Sequence, residues 1–375
     1  MRLKTSWWPA VLVLAAAIAY TARVRHEMVD FAVYRTAGAR ALEAAPLFRV
    51  EDGHYQFKYF PAFALAMMPF ALAPPEAAKA IWFALSVALL VALVRLSVRA
   101  LPDRRLSRRQ LTWLAVILMA KFYAHELNLG QTNILLGVLL VGALAAADAQ
   151  RALLAGALVG AGVFVKPYAL ILVPWLAFAA GIRGLGAAAA TIAFGVLVPA
   201  ALYGWSGNLS ELGAWYRTVT DTTAPNLLAP ENVSLATMWA KWLGPGPSAS
   251  LLAAITSVAA VGIAATAWLW RRQVHRPAYL ELSLLMLLVP LLSPQGWDYV
   301  FLLATPAAVC LADRFTAMDR PWRLMTGLAF SFMSFTIYDL LGRPLYVRLM
   351  TLSVVSVAAL VLVVSLVLVR RRRLA

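Results

Sequence analysis

Apolar runs separated by short polar breaks follow one another almost from end to end of the chain, and no other feature limits the fold as strongly. The runs fall near 7–20, 60–73, 79–98, 111–124, 131–147, 152–165, 168–182, 185–203, 249–270, 279–293, 299–312, 322–341 and 347–369. With 62% hydrophobic residues and a mean hydropathy of +0.77, the chain lies outside the range of soluble globular domains. Lipid offers backbone polar groups no partner except those of their own helix. An all-α polytopic transmembrane bundle follows. The strand-length alternation of an outer-membrane barrel is absent.

The net charge of +16 is spread over loops and helix ends. It therefore reads as a set of topology signals, with no nucleic-acid surface. The only cysteine, Cys310, sits in an apolar run, so the chain has no internal disulfide and no thiolate metal site.

Orientation is worked backward from Arg370 to Arg373, a strong cytoplasmic anchor. Alternation then puts Arg314, Arg320 and Arg323 inside, followed by Arg271, Arg272 and Arg276, then Arg183 and Arg151, then Arg99, Arg104, Arg105, Arg108 and Arg109. If every run crossed, Arg2 and Lys4 would lie outside. The run 60–73 is short, contains Pro61 and Pro69, and precedes Pro74 and Pro75, so it is expected to be a re-entrant or interfacial helix. About twelve spans remain, with both termini cytoplasmic, in a single domain over 1–375 with outer loops at 23–79 and 204–248. The basic-then-apolar start shares the plan of a signal peptide. It reads as an uncleaved first span, because the chain beyond it is itself membrane-embedded.

This alternation places every polar cluster on the outer face: the first loop, His125 to Asn133, Lys166-Pro167, 204–248, and Ser293 to Asp298. In the first loop, Phe31, Val33, Tyr34, Ala37, Gly38, Ala41 and Leu42 share one side of a helix, opposite Arg35, Thr36, Arg40 and Glu43. From spacing alone, Asp30 reads first as the N-cap of that helix and second as a general base. Lys58, set among Tyr55, Phe57, Tyr59 and Phe60, either snorkels to the interface or binds phosphate. Lys121 and Lys166 lie at the ends of apolar runs, where a charge usually faces a polar cavity. Glu126, Asn128, Gln131 and Asn133 either cap two helices or orient a hydroxyl-rich ligand. No phosphate-cradling glycine loop, HExxH or nucleophile elbow occurs.

The pieces Asp30-x-x-x-Tyr34-x-x-Ala37, Pro46-Leu47-Phe48, Phe57-x-Tyr59-x-Pro61, Gly130-Gln131-x-Asn133, Lys166-Pro167, Asn232-x-Ser234 and Ser293-Pro294-x-x-Trp297 occur in this order over residues 30 to about 300. In these the chain resembles the GT-C membrane glycosyltransferases, in particular glycosyltransferase family 87, which includes polyprenyl-phosphate-mannose-dependent mannosyltransferases and related arabinosyltransferases. The resemblance implies a GT-C type bundle in the cytoplasmic membrane with its active site facing outside, serving cell-envelope biosynthesis. It implies transfer of mannose or arabinose from a polyprenyl-phosphate donor to a lipid or glycan acceptor, with inversion and with no cofactor or metal assigned. Carried onto this sequence, Asp30 would be the base, and Lys58, Arg35 and Lys166 would face the donor phosphate. Tyr34, Tyr59, His125, Glu126, Asn128, Gln131, Asn133, Asn232, Trp297 and Asp298 would bind sugar or acceptor.

The alternatives are a multi-span transporter and a lipid-linked glycan ligase. Carriers tend to place their sites at mid-membrane, often between repeated halves. Here the polar groups gather at run ends and the halves do not match.

Overall fold

A computed structural model of the chain describes residues 8–371. Arg2, Lys4, Arg372 and Arg373, which enter the orientation argument, lie outside the described residues. Sixteen α-helices follow one another among the described residues: α1 (Trp8–Ala22), α2 (Val29–Leu42), α3 (Pro61–Leu72), α4 (Pro75–Ala100), α5 (Arg108–Leu129), α6 (Asn133–Asp148), α7 (Ala152–Val165), α8 (Val173–Leu197), α9 (Ala200–Asp221), α10 (Leu235–Leu243), α11 (Pro247–Leu269), α12 (Ala278–Leu292), α13 (Thr305–Arg314), α14 (Arg320–Phe335), α15 (Tyr338–Thr351) and α16 (Val354–Arg371). Short 3₁₀ turns join several of them. Among the described residues there is no strand, only an isolated bridge between Asn232 and Trp297.

Five segments are long and apolar enough to cross a membrane: Pro75–Ala100, Pro167–Leu197, Pro247–Leu269, Asp298–Ala317 and Val354–Arg371. Arg320–Phe335 and Tyr338–Thr351 make a sixth only if their 107° bend is taken within one span. The helices Pro61–Leu72, Asn133–Asp148, Ala152–Val165 and Ala278–Leu292 are apolar but shorter than the about 20 residues of a straight span.

Two boundaries differ from those read in the sequence. The expected break near 183–184 falls at Gly181 (φ 61°), and the expected loop 204–248 is largely helical, with α9 broken at Gly204 (φ 68°) and running on to Asp221. Its Ser, Asn, Gly and Thr content looks like loop composition, but its packed residues recur at helical spacing.

Helix starts follow local chemistry. Ser107 opens α5 with a capping box: its hydroxyl accepts from the Gln110 N–H at 3.2 Å, and the Gln110 carboxamide accepts from the Ser107 N–H at 3.0 Å. Gly130 closes α5 in the left-handed region (φ 69°), where a Cβ would come within 2.8 Å of the Phe31 side chain. The Trp82 indole donates to the Gly130 carbonyl at 2.9 Å, tying α4 to this corner.

Two cores result. The larger centres on α12 and the segment Asp298–Arg314, where nearly every side chain is buried on all sides. A smaller one joins Phe31, Tyr34, Ala37 and Ala41 of α2 to Phe63, Ala64 and Met67 of α3, with Phe57, Trp82 and Phe83 around them. The expected inward face of α2 is thus present, except that Leu42, at its end, is exposed. α2 lies so close to α3 that a Cβ on Gly38 would meet the Met67 carbonyl oxygen at 2.6 Å. Gly38→Ala is expected to destabilise the protein by about 1–3 kcal/mol through overpacking. Thermal unfolding in detergent reads it, and an unchanged melting temperature would contradict the contact.

The charged groups divide by end. Glu281, at the start of α12, is buried between Arg271 and Arg370, and the Arg370 guanidinium donates to the Pro277 carbonyl at 2.6 Å. Asp313 accepts from the backbone N–H groups of Arg105 and Leu106 at 2.9 and 2.8 Å. Arg370, expected as part of a cytoplasmic anchor, is buried where α16 packs against α12. The other ends of α5, α12 and the Asp298–Arg314 segment meet the cluster described next.

Candidate functional site

Asp30 does not cap its helix. Met28 holds the cap position in a left-handed conformation (φ 36°) with no side-chain cap bond, and Asp30 sits within the first turn of α2. Its half-buried carboxylate therefore faces the chain's interior partners. Burial raises its pKa above the ordinary carboxylate value, a rise restrained by a hydrogen bond from the Gln131 carboxamide and by the charges of Lys166, Lys58 and His125. The first-turn position also sets it near the positive end of the helix dipole, which favours the ionised form.

Gln131, two residues before α6, is the hub. Its Oε1 accepts from the hydroxyls of Tyr34 at 3.0 Å and Tyr59 at 3.2 Å, and its Nε2 donates to the Tyr299 hydroxyl at 3.3 Å. The Tyr34 and Tyr59 oxygens are 2.7 Å apart, with the rings edge to face. Burial pushes the pKa of both hydroxyls up, so they stay neutral donors and acceptors.

Two lysines enter from different elements. Lys58 lies in the extended stretch before α3, where burial lowers its pKa and the nearby Asp30 partly offsets that. Lys166 is buried where α7 ends, because Pro167 cannot continue the helix. Its Nζ stands 5.9, 5.8 and 5.9 Å from the ring centres of Tyr59, Tyr168 and Tyr299. Burial lowers the pKa of this ammonium, and the charges of Glu126 and Asp30 together with the three aromatic faces offset part of that cost.

The other expected residues are placed as follows. Glu126 accepts from the Asn133 carboxamide at 2.8 Å and from the Ile134 N–H at 3.0 Å, so this pair closes the start of α6. The Asn133 Oδ1 is buried without a hydrogen-bond partner. Asn128 supplies its carbonyl to the Met28 N–H at 2.9 Å, which sets the start of α2 against the end of α5. Asp298 is buried 2.9 Å from Lys121 Nζ and 3.3 Å from His125 Nδ1, and the His125 ring lies edge-on to Tyr299. Asn232 donates to the carbonyls of Asn226 at 3.1 Å and Pro294 at 3.0 Å, and it pairs with Trp297 in the isolated bridge, fastening the segments before α10 and after α12 together.

Arg35 is drawn elsewhere. Its guanidinium donates to the carbonyls of Ala71 and Ala73 at 3.5 and 3.2 Å, at the last turn of α3. Lys58, Lys166, Gln131, Tyr34, Tyr59 and His125 therefore gather around Asp30, while Arg35 and Asn232 act on backbone. Sequence reasoning missed Tyr299 and Tyr168, each beside a flagged residue, because tyrosine in an apolar chain reads as an interfacial anchor. It also missed Glu211, Trp215 and Tyr203 on α9. Among the described residues, no three His, Cys, Asp or Glu side chains converge in a way that could hold a metal ion.

A half-buried carboxylate beside two ammonium groups, walled by tyrosine hydroxyls, can take a proton from an alcohol and neutralise an anion within one site. No curated protein and no solved structure matches the chain. The family model described as glycosyltransferase family 87 matches residues 57–294, well over half of the chain. The matched range takes in Lys58, Tyr59, Gln131 and Lys166, and begins after Asp30.

Proposed function

The chain belongs to glycosyltransferase family 87, and from that premise we propose that it is an inverting, polyprenyl-phosphate-sugar-dependent transferase of the cytoplasmic membrane, acting at the outer face. The donor sugar is a hexose or pentose, mannose or arabinose by the resemblance, and the acceptor is a lipid or glycan hydroxyl. The observation that carries this reading is the cluster in which Gln131 holds the Tyr34 and Tyr59 hydroxyls at 3.0 and 3.2 Å beside the first turn of α2, with Lys166 caged by Tyr59, Tyr168 and Tyr299 and with Asp30 within reach of its charge.

In the reaction, Asp30 takes the proton of the acceptor hydroxyl as that oxygen attacks the anomeric carbon. The bond from that carbon to the phosphate oxygen breaks with its electron pair, and polyprenyl phosphate leaves as an anion. A single displacement inverts the anomeric centre. Lys58 and Lys166 neutralise the charge that develops on the departing phosphate. Gln131 and the Tyr34 and Tyr59 hydroxyls orient Asp30 and offer hydrogen bonds to sugar hydroxyls. In the proposed arrangement of about twelve spans with both termini inside, this site would face outward; it lies at the opposite end of α12 from the Arg271–Glu281–Arg370 cluster.

The test is transfer by the purified protein in detergent from synthetic polyprenyl-phosphate mannose or arabinose to lipid acceptors, with product configuration read by NMR. Retention of configuration, or use of nucleotide sugars in place of the lipid donor, would sink the proposal. Lys166→Met, which keeps the side-chain length within the tyrosine cage, is expected to lower kcat by about 10²- to 10³-fold, the usual loss when one electrostatic contact to developing charge is removed.

A further inference from the structure

Beyond Gly204, α9 presents three different faces. Asn208, Glu211 and Trp215 turn toward the protein, and Tyr203, just before the break, joins them there. Trp205, Leu209 and Tyr216 lie at spacings of four and seven on a second face and are 63%, 53% and 64% exposed, with half-buried Leu212 between them. Ser206, Ser210, Arg217 and Asp221 occupy the third. Only the first face is covered.

The covered face holds the first loop at three points. The Leu47 N–H donates to Glu211 Oε2 at 3.1 Å, the Tyr203 hydroxyl donates to the Ala45 carbonyl at 3.1 Å, and the Trp215 indole donates to the Lys58 carbonyl at 3.2 Å. The Trp215 ring also stacks on Phe60 with centres 4.0 Å apart. This helix therefore binds both the segment after α2 and the stretch that carries Lys58.

We propose that the Trp205–Leu209–Tyr216 face of α9 docks into the interfacial layer of the bilayer, in the leaflet on the site's side, and that Glu211 and Trp215 pass that height reference to the Ala45–Phe60 segment. The partner is a lipid surface. α9 continues from the apolar helix after Gly181 through the break at Gly204, so this face begins where a membrane-embedded helix ends. Tryptophan and tyrosine beside leucine, with serine, arginine and aspartate on the remaining side, is the composition of a helix lying in the interface plane. A site that must meet a lipid-borne substrate gains from such a reference, since the reacting phosphate sits at a set depth. That consequence rests on the proposed function, whereas the docking itself does not.

Cys310 is buried, so in a Cys310→Ala background the variants Leu209→Cys and Ser210→Cys can each carry one environment-sensitive NBD fluorophore. In phosphatidylcholine–phosphatidylglycerol vesicles, the label at 209 is expected to emit at shorter wavelength than the label at 210 and to be quenched several-fold more by doxyl-labelled lipid. Equal, water-like emission at both positions overturns the proposal. So does a blue-shifted label at 209 that doxyl lipid does not quench, because a second copy of the chain would then cover the face.

The tie to the loop is read separately by hydrogen exchange. Glu211→Ala is expected to speed exchange of the Leu47 amide by about 10-fold or more, as for loss of a hydrogen bond to a charged group, and Glu211→Gln should largely restore protection. Unchanged exchange in Glu211→Ala overturns the tie. Neither measurement requires turnover, so failure here and failure of the proposed reaction are distinguishable.

Discussion

Replacing Asp30 with asparagine is expected to lower the rate of glycosyl transfer by about 10²- to 10⁴-fold, the contribution of a positioned general base, while leaving donor binding nearly unchanged. Asparagine has the size and shape of the aspartate and can still meet the Gln131 carboxamide, so the surrounding tyrosines need not move. What it lacks is a lone pair basic enough to accept the acceptor's proton. The pH dependence follows from the same carboxylate. Burial holds its pKa above the ordinary value, and the base must be ionised to work. Activity is therefore present above that raised pKa and lost as pH falls through it, so the acid limb of kcat/KM lies at higher pH than an ordinary aspartate would give. Single-turnover rates with a saturating lipid donor give the first number, and a pH profile gives the second. Full turnover in the asparagine variant would refute the base assignment, and an acid limb at or below the ordinary aspartate range would contradict the burial argument.

The second large effect is on stability. Asp298→Ala is expected to cost about 3–5 kcal/mol, because it leaves the Lys121 ammonium buried without its partner. The two groups are 2.9 Å apart, and their side chains are 8% and 1% exposed. His125, 3.3 Å from the same carboxylate, would lose its anchor too. The double variant Lys121→Met with Asp298→Leu removes both charges and should regain most of the loss, since a buried ion pair often gives little net stability over apolar side chains of similar volume. Chemical denaturation in detergent measures both. If the single and double variants unfold at the same denaturant concentration, the pair is not a buried ion pair.

Much of the site was legible because charge is costly in an apolar chain. Asp30, Lys58, Lys166 and Gln131 stand out as polar residues at the ends of apolar runs, and the structure brings them together. Their separate jobs were not legible. Asp30 has the residue type and position of a cap, and only the backbone of Met28 and Val29 shows that the cap position lies two residues earlier. Glu126 and Asn133 look as suited to a sugar as Gln131 does, yet they bond to each other across the α5–α6 turn. Arg35 looks like a third phosphate contact, but its guanidinium is drawn to carbonyls at the end of α3. Hydrogen-bond partners distant in sequence cannot be read from spacing. The distances from Leu47 to Glu211 and from Lys58 to Trp215 exceed 150 residues, and no local pattern announces them.

By itself, the amino-acid sequence determined that the chain is helical, that it belongs in lipid, and which polar groups gather at one end of its apolar runs. Those properties follow from composition and from backbone hydrogen bonding, which act residue by residue. Tertiary structure alone decided which helices are central. α12 and α11 are both apolar, yet α12 is buried all round while Val258 and Leu269 of α11 are 73% exposed. In a membrane the usual contrast between apolar core and polar surface disappears, because lipid and protein interior favour the same side chains. Packing then selects the neighbours, through close approaches such as Gly38 on Met67 and through ion pairs such as Lys121 with Asp298. Those choices bring Asp30 within reach of the charges of Lys58 and Lys166.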